Sequence, residues 1–125
     1  SSLKIPFLQG AIEVQRSFLQ SRRDTALNLL KGYIETIKHA KEKPELAIAA
    51  ISKRMRVPAE IIRPVYQPHD NALEEMPYVR RDSVQVIFDQ YPKEQLKGLT
   101  YEKLTDNSLL QQLEESGFIR NLYRR

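Results

Sequence analysis

The stretch DTALNLLKGYIETIKHA, residues 24–40, decides the fold class of this chain. Lys31, Glu35 and Lys38 fall on one side of a helix drawn through it, and apolar side chains recur every three or four positions on the other side. These apolar positions are Ala26, Leu27, Leu30, Tyr33, Ile34, Ile37 and Ala40. The pattern predicts an amphipathic α-helix of several turns.

Further helices are predicted after this stretch. Pro44 and Pro58 each suit the first turn of a helix, where the amide that proline lacks has no partner anyway. Helical spacing also runs over residues 82–91 and 106–117. The expected buried positions are Leu46, Ala47, Ala50, Ile51 and Met55, then Ile61, Ile62, Val65 and Tyr66, then Val84, Ile87, Phe88 and Tyr91, then Leu109, Leu110 and Leu113. We therefore expect a mainly α fold of about five helices.

Local signals also predict where helices stop. Asp106 suits a helix N-cap, and Gly117 suits the left-handed conformation that often ends a helix, with Phe118 folded back onto Leu113. Breakers and turn formers over residues 67–77 predict a surface loop. Residues 93–105 are expected to be a polar connection with one helical turn near its end.

Residues 11–15 alternate apolar and polar side chains, which predicts one short N-terminal strand. A single strand cannot satisfy its own backbone donors and acceptors. It must therefore pair with another copy of the chain, with a turn of its own chain, or with a part of the protein outside these residues.

Composition excludes several classes of protein. The chain has 125 residues, of which 41% are hydrophobic and 29% charged, so it is expected to form one globular domain. Its longest apolar run, residues 46–51, is far shorter than the roughly 20 residues that cross a bilayer. No charged and then apolar leader opens the chain, so neither a signal peptide nor membrane insertion is expected. The absence of cysteine excludes thiol catalysis, disulfides and cysteine-bound zinc.

The net charge of +4 is concentrated in the N-terminal half of the chain. A basic patch is predicted from Lys38, Lys41, Lys43, Lys53, Arg54 and Arg56. These cations suit an acidic partner protein or nucleic acid. The alternative is a solvated helix end, because cations are stabilised at the negative end of a helix dipole. No aromatic side chains alternate with the cations, which disfavours nucleic acid.

Candidate catalytic groups are few. His39 and His69 lie in different predicted elements, and neither has a second histidine four residues away, the spacing at which two histidines bind a metal on one helix face. His69 and Asp70 are adjacent in a predicted loop without a nucleophile or oxyanion motif. The four glycines form no phosphate-binding loop. We expect no enzyme activity, no cofactor and no metal, and an enzyme that uses His69 and Asp70 is the weakest hypothesis.

Several stretches, taken in order, resemble a known family. They are IPF (5–7), IEVQRSFL (12–19), LKGYIETI (30–37), KPELA (43–47), PYV (77–79), VQVIFD (84–89), LTDNSL (104–109) and LEESGFI (113–119). Together they are similar to the C-terminal part of ABC-importer solute-binding proteins of the nitrate, sulfonate, taurine and thiamine-pyrimidine-precursor type. The similarity covers nearly the whole chain and depends on the order of the motifs.

The resemblance implies a type II periplasmic binding protein, in which two α/β lobes hold a ligand between them. Residues 1–125 would then be a single partial domain: residues 1–20 a crossover segment and strand, and residues 21–125 the helices that complete lobe 1. The remnant of the ligand site would be Phe7, Leu8, Gln9 and Gly10, without a complete site on this chain alone. The parent protein would be a periplasmic or extracellular lipoprotein that delivers its ligand to an ABC permease. The absence of cysteine argues against the related pyrimidine-precursor synthases.

These considerations predict a layer of helices whose sheet lies elsewhere. The apolar sides of Ile34, Ile37, Ile51 and Ile62 would be partly uncovered, and a homodimer or the remainder of the binding protein would cover them. The alternative function is a stand-alone helical interaction module that binds an acidic partner or nucleic acid through residues 38–56.

Overall fold

A computed structural model of the chain describes residue 8 and residues 10–66 and 73–124. The fold over these residues is mainly helical, as predicted. Its helices are α1 (Arg16–Ser21), α2 (Arg23–Glu42), α3 (Pro44–Met55), α4 (Ala59–Ile62), α5 (Arg81–Phe88), α6 (Lys93–Leu96), α7 (Tyr101–Leu104), α8 (Ser108–Glu115) and α9 (Phe118–Tyr123), with a 3₁₀ turn (Arg63–Val65) after α4. None of these described helices is long and apolar enough to cross a membrane.

The helix boundaries follow local chemistry. Asp24 lies in the first turn of α2 and Lys41 in its last, so both charges suit the helix dipole. Pro44 opens α3 at the predicted position, after the single residue Lys43. Gly117 has a φ of 78° and separates α8 from α9, which confirms the predicted left-handed stop.

The main core lies between α2 and α8. Ile34 of α2 and Leu113 of α8 are almost completely buried, with Leu110 beside them. Partly buried side chains that pack against this cluster are Leu27, Leu30, Met76, Tyr78, Phe118, Ile119 and Leu122. Burying a side chain of this size is worth about 1.5–3 kcal/mol relative to exposure, so the N-terminal and C-terminal helices stabilise one another.

A second buried region joins α2, α3 and α4. Ile37, Ile48 and Ile62 are buried on these helices, which contact one another in chain order. The hydroxyl of Tyr66 donates a hydrogen bond to the carbonyl oxygen of Ala40 at 2.8 Å. The chain therefore folds back after α4 onto the end of α2.

The predicted strand over residues 11–15 is wrong, because the structure shows an irregular and exposed segment there. Gln15 has extended backbone angles, and Ile12 and Val14 are 42% and 45% exposed. A strand needs a partner for its N–H and C=O groups, and within residues 10–66 and 73–124 no backbone group pairs with residues 11–14. Alternation alone does not form a strand where no second strand lies beside it.

The exposure of apolar side chains on the helices also differs from the prediction. Ile34, Ile37 and Ile62 are buried within the chain rather than partly uncovered, because neighbouring helices of the same chain cover them. Ile51 is half-buried. Large side chains that are exposed although the pattern placed them in the core are Tyr33, Leu46, Met55, Ile61, Val65 and Tyr91. The helices therefore expose apolar side chains, as predicted, but these are not the isoleucines that the prediction named.

Candidate functional site

The residues predicted to remain from a ligand site are Phe7, Leu8, Gln9 and Gly10. Phe7 and Gln9 lie outside the residues that the structure describes. Leu8 is half-buried and Gly10 is exposed, and a Cβ atom built on Gly10 would meet no atom within 4 Å. Gly10 thus borders open space, and the ligand-site assignment stays a prediction.

An open apolar groove runs along α2, away from the face that carries Ile34. The lining residues are Ile12, Asn28, Leu29, Gly32, Tyr33 and Thr36. Leu29 and Tyr33 are 50% and 40% exposed. We call this surface the α2 outer groove. A second shallow groove, lined by Val14, Gln15 and Phe18, follows along the chain from Ile12.

Gly32 leaves room in the middle of the α2 outer groove. A Cβ atom built at this position would meet nothing within 4 Å, so another polypeptide segment has space to approach the α2 backbone closely. The hydroxyl of Thr36 donates to the carbonyl oxygen of Gly32 at 2.7 Å and is thus already engaged. Among the lining residues Tyr33 alone is titratable. The groove offers contact area rather than acid–base chemistry.

The six predicted cations fall at the two ends of α3. Lys38, Lys41 and Lys43 precede this helix, and Lys53, Arg54 and Arg56 lie at its end. Because a helix rises by 1.5 Å per residue, the 12 residues of α3 separate the two groups by roughly 18 Å. The sequence region 38–56 therefore presents two separate basic surfaces.

The first of these groups is partly neutralised within the chain. Lys38 Nζ lies 2.7 Å from Glu42 Oε2, one helical turn away. This hydrogen bond to Lys38 lowers the pKa of Glu42. Lys38 is thus a member of a local ion pair on α2.

Asn107, which lies between α7 and α8, binds the segment before α5. Its Oδ1 accepts from the amide of Val79 at 3.1 Å, and its Nδ2 donates to the carbonyl oxygen of Val79 at 3.0 Å. The Tyr101 hydroxyl donates to the same carbonyl oxygen at 2.5 Å and accepts from Asn107 Nδ2 at 3.1 Å. Two of the stretches that carry the family resemblance, residues 77–79 and 104–109, are therefore in direct contact.

Charged groups surround this network on the exposed side. The Arg81 guanidinium lies 4.5 Å from the centre of the Tyr101 ring. It also forms an ion pair with Glu102, and both side chains are exposed. Hydrogen bonding to Arg81 lowers the pKa of Glu102. These contacts join the start of α5 to α7.

Two further groups near the C-terminal helices have shifted pKa values. Burial, and then a hydrogen bond donated to Glu114 at 2.7 Å, raises the pKa of Tyr78 to about 12. Hydrogen bonds from the Ser108 hydroxyl and amide lower the pKa of Asp106. The predicted N-cap is therefore wrong by one residue, because Asn107 occupies the N-cap position of α8. The Asp106 carboxylate, one residue earlier, accepts from the first amide of α8 at 2.9 Å.

The predicted catalytic and metal-binding candidates form no cluster among the described residues. His39 is exposed in the last turn of α2, and His69 and Asp70 lie outside the described residues. Across residues 10–66 and 73–124, no group of three His, Asp or Glu side chains is placed to hold a metal ion. The hypothesis of an enzyme that uses His69 and Asp70 stays a hypothesis.

The α2 outer groove lies outside the sites predicted from the sequence, although the sequence contains a signal for it. Asn28, Gly32 and Thr36 recur every four residues, outside the predicted apolar stripe. Residues four apart lie on one face of a helix, and Leu29 adds an apolar side chain beside this row. The combination indicates a second contact face on α2.

No family model matches the chain, and no curated protein or solved structure matches it. The family resemblance therefore depends on the sequence motifs alone.

Proposed function

We propose that this chain forms the helical part of one lobe of an ABC-importer solute-binding protein of the nitrate, sulfonate, taurine or thiamine-precursor type. In this role it contributes to the uptake of a small organic anion or thiamine-precursor-like molecule, and it binds rather than catalyses. The observation that carries the proposal is the α2 outer groove, an apolar surface left open by the residues that the structure describes.

The first support is that α2 is apolar on two sides. Ile34 and Ile37 are buried against neighbouring helices, whereas Leu29 and Tyr33 lie in the open groove. A helix at the surface of a domain has one apolar stripe, and a helix with two is typical of a position between two layers. A sheet over the α2 outer groove would supply the second layer.

The second support is the segment over residues 11–15. Ile12 lines the α2 outer groove, and Val14 lies in the adjoining groove. The backbone of residues 11–14 has no backbone partner among the described residues. A sheet edge beside α2 would pair with this segment as a strand and would bury both side chains. One additional layer thus accounts for both the open groove and the unpaired segment.

The ligand in this proposal lies between two lobes. The two grooves described above are open and mainly apolar, so they do not enclose a small anion with the convergent polar groups that such a ligand needs. Phe7, Leu8, Gln9 and Gly10, near the crossover, would form one edge of the ligand site. An ABC permease would be the partner that receives the ligand.

Sequencing the gene upstream of the codon for Ser1 tests this proposal. We expect an open reading frame that encodes an α/β lobe before these helices. Isothermal titration of the encoded protein with nitrate, taurine and an aminopyrimidine should then show binding of one of them. A gene that encodes these helices without an α/β lobe contradicts the proposal.

A pair of substitutions tests the proposed cover of the groove. In the full-length protein, Leu29→Lys should lower the free energy of unfolding by about 2–4 kcal/mol, because it would place a charge under the sheet. Leu46→Lys is the matched control, since Leu46 is a helical leucine that is 66% exposed. It should change the free energy of unfolding by less than about 0.5 kcal/mol. Equal losses from the two variants contradict the proposed position of the sheet.

A second copy of the chain is the alternative cover. Sedimentation of the 125-residue chain distinguishes the two arrangements. A stable dimer that Leu29→Lys dissociates would assign the groove to a homodimer and would oppose the sheet.

A further inference from the structure

The end of α3 consists of four consecutive exposed residues, Lys53, Arg54, Met55 and Arg56, which we call the α3 basic end. Lys53, Arg54 and Met55 are the last three residues of α3, and Arg56 is its C-cap. Successive helical residues point about 100° apart, so the three exposed helical residues span about 200° of the helix surface. The last turn of α3 therefore projects from the described part of the fold. Met55, at its centre, is 65% exposed.

The positive charges of the α3 basic end are not paired within the described residues. Over residues 10–66 and 73–124, no carboxylate lies within 4.0 Å of Lys53, Arg54 or Arg56. By contrast, Lys38 of α2, which belongs to the other predicted group of cations, is paired with Glu42. The negative end of the α3 dipole carries only about half an elementary charge, which leaves most of this positive charge without a counterpart.

Arg56 occupies a backbone position that favours glycine. Its φ is 56°, in the left-handed region, where a side chain costs about 1 kcal/mol. Ser52 stabilises this turn through its own groups: its carbonyl oxygen accepts from the amide of Arg56, and its hydroxyl donates to the carbonyl oxygen of Val57 at 2.7 Å. The turn thus does not depend on the guanidinium of Arg56, and no local contact among the described residues explains an arginine here.

We propose that the α3 basic end is a docking surface for an acidic protein segment in which carboxylates flank an apolar side chain. The carboxylates would pair with Lys53, Arg54 and Arg56, and the apolar side chain would lie on Met55. Arginine and methionine are enriched at protein interfaces, and the flexible methionine side chain adapts to different partners. The surface contains no aromatic ring on which a base would stack, and a single methionine is a small anchor for a lipid bilayer.

Different residues carry this inference and the proposed function, so the two are tested separately. The probe is a fluorescein-labelled peptide of glutamates around a central leucine, and binding is measured by fluorescence anisotropy. The double variant Arg54→Glu and Arg56→Glu should weaken binding by about tenfold or more. Raising the salt from about 50 to about 500 mM should also weaken binding, because exposed charges are screened.

Lys97 provides a matched control at a distant point in the sequence. It is exposed and has the same left-handed backbone conformation, with a φ of 46°, at the end of α6. Lys97→Glu should change peptide binding by less than about twofold. Arg56→Gly should weaken binding by several-fold while the fold keeps its stability, since glycine suits this backbone position. This variant separates a loss of docking from a loss of folding.

Three outcomes would overturn the proposal. The first is a lack of saturable peptide binding up to about 1 mM. The second is an equal loss of binding in the Lys97→Glu control. The third is tighter binding of a short single-stranded DNA or of vesicles that contain phosphatidylserine, which would assign the surface to another class of partner.

Discussion

The side-chain amide of Asn107 pairs with the backbone of Val79 as a neighbouring strand would. It accepts from the Val79 amide at 3.1 Å and donates to the Val79 carbonyl oxygen at 3.0 Å. Val79 and Asn107 are both half-buried, and an unpaired donor or acceptor at such a position is costly. One side chain therefore fixes the irregular segment before α5 to the connection between α7 and α8.

Removal of the Asn107 amide should destabilise the fold. Asn107→Ala leaves the Val79 amide without its partner and should lower the free energy of unfolding by about 1–3 kcal/mol. Urea denaturation followed by circular dichroism measures this change. Asn121→Ala, at an exposed position in α9, is the control and should cost less than about 0.5 kcal/mol. A loss at Asn107 no larger than this control would show that the paired amide does not stabilise the fold.

The two sides of α2 should respond differently to truncation. Ile34→Ala removes a side chain with no exposed surface and should cost about 2–5 kcal/mol. Leu29→Ala, in the α2 outer groove, should cost less than about 1 kcal/mol in the isolated chain, because Leu29 is already 50% exposed. Thermal unfolding monitored by circular dichroism compares the two variants. Similar losses of unfolding free energy in the two variants would mean that other residues of the isolated chain bury Leu29.

Sequence periodicity predicts the long elements of this fold well and the short ones poorly. The pattern over residues 24–40 corresponds to α2, and Leu109, Leu110 and Leu113 of α8 are all buried as predicted. Ile61 and Ile62 show the failure: the pattern placed both in the core, yet Ile61 is 61% exposed and Ile62 is buried. The four residues of α4 make about one turn, which is too short for a stripe to define one side.

Features that depend on distant residues could not be predicted from local patterns. Asn107 finds its partner 28 residues away, and no local signal joins the two positions. The alternation over residues 11–15 was visible, but whether a second strand lies beside it is a tertiary property. The cations over residues 38–56 were visible too, whereas their separation follows from α3 continuing as one helix between them.

Gly117 and Gly32 should respond to alanine with opposite signs. Gly117 has a φ of 78°, where a Cβ atom is disfavoured, so Gly117→Ala should lower the free energy of unfolding by about 1 kcal/mol. Gly32 lies inside α2 with open space around it, so Gly32→Ala should raise that free energy by about 0.5–1 kcal/mol. Urea denaturation of the isolated chain measures both. Changes of the same sign would contradict the backbone conformation described at one of the two glycines.

Tyr78 should make the stability of the chain fall in alkali. Burial, and then the hydrogen bond to Glu114, raises its pKa from the ordinary value of 10.0 to about 12. A group whose pKa is higher in the folded state contributes stability that is complete below pH 10.0 and is lost as the pH rises through about 12. Tyr78→Phe should therefore show a smaller fall in its urea midpoint over this pH range than the unmodified chain. Tyr91→Phe is the control, because Tyr91 is 54% exposed, and its urea midpoint should fall with pH as much as that of the unmodified chain. An equal reduction of this fall in both variants would contradict the assignment to Tyr78.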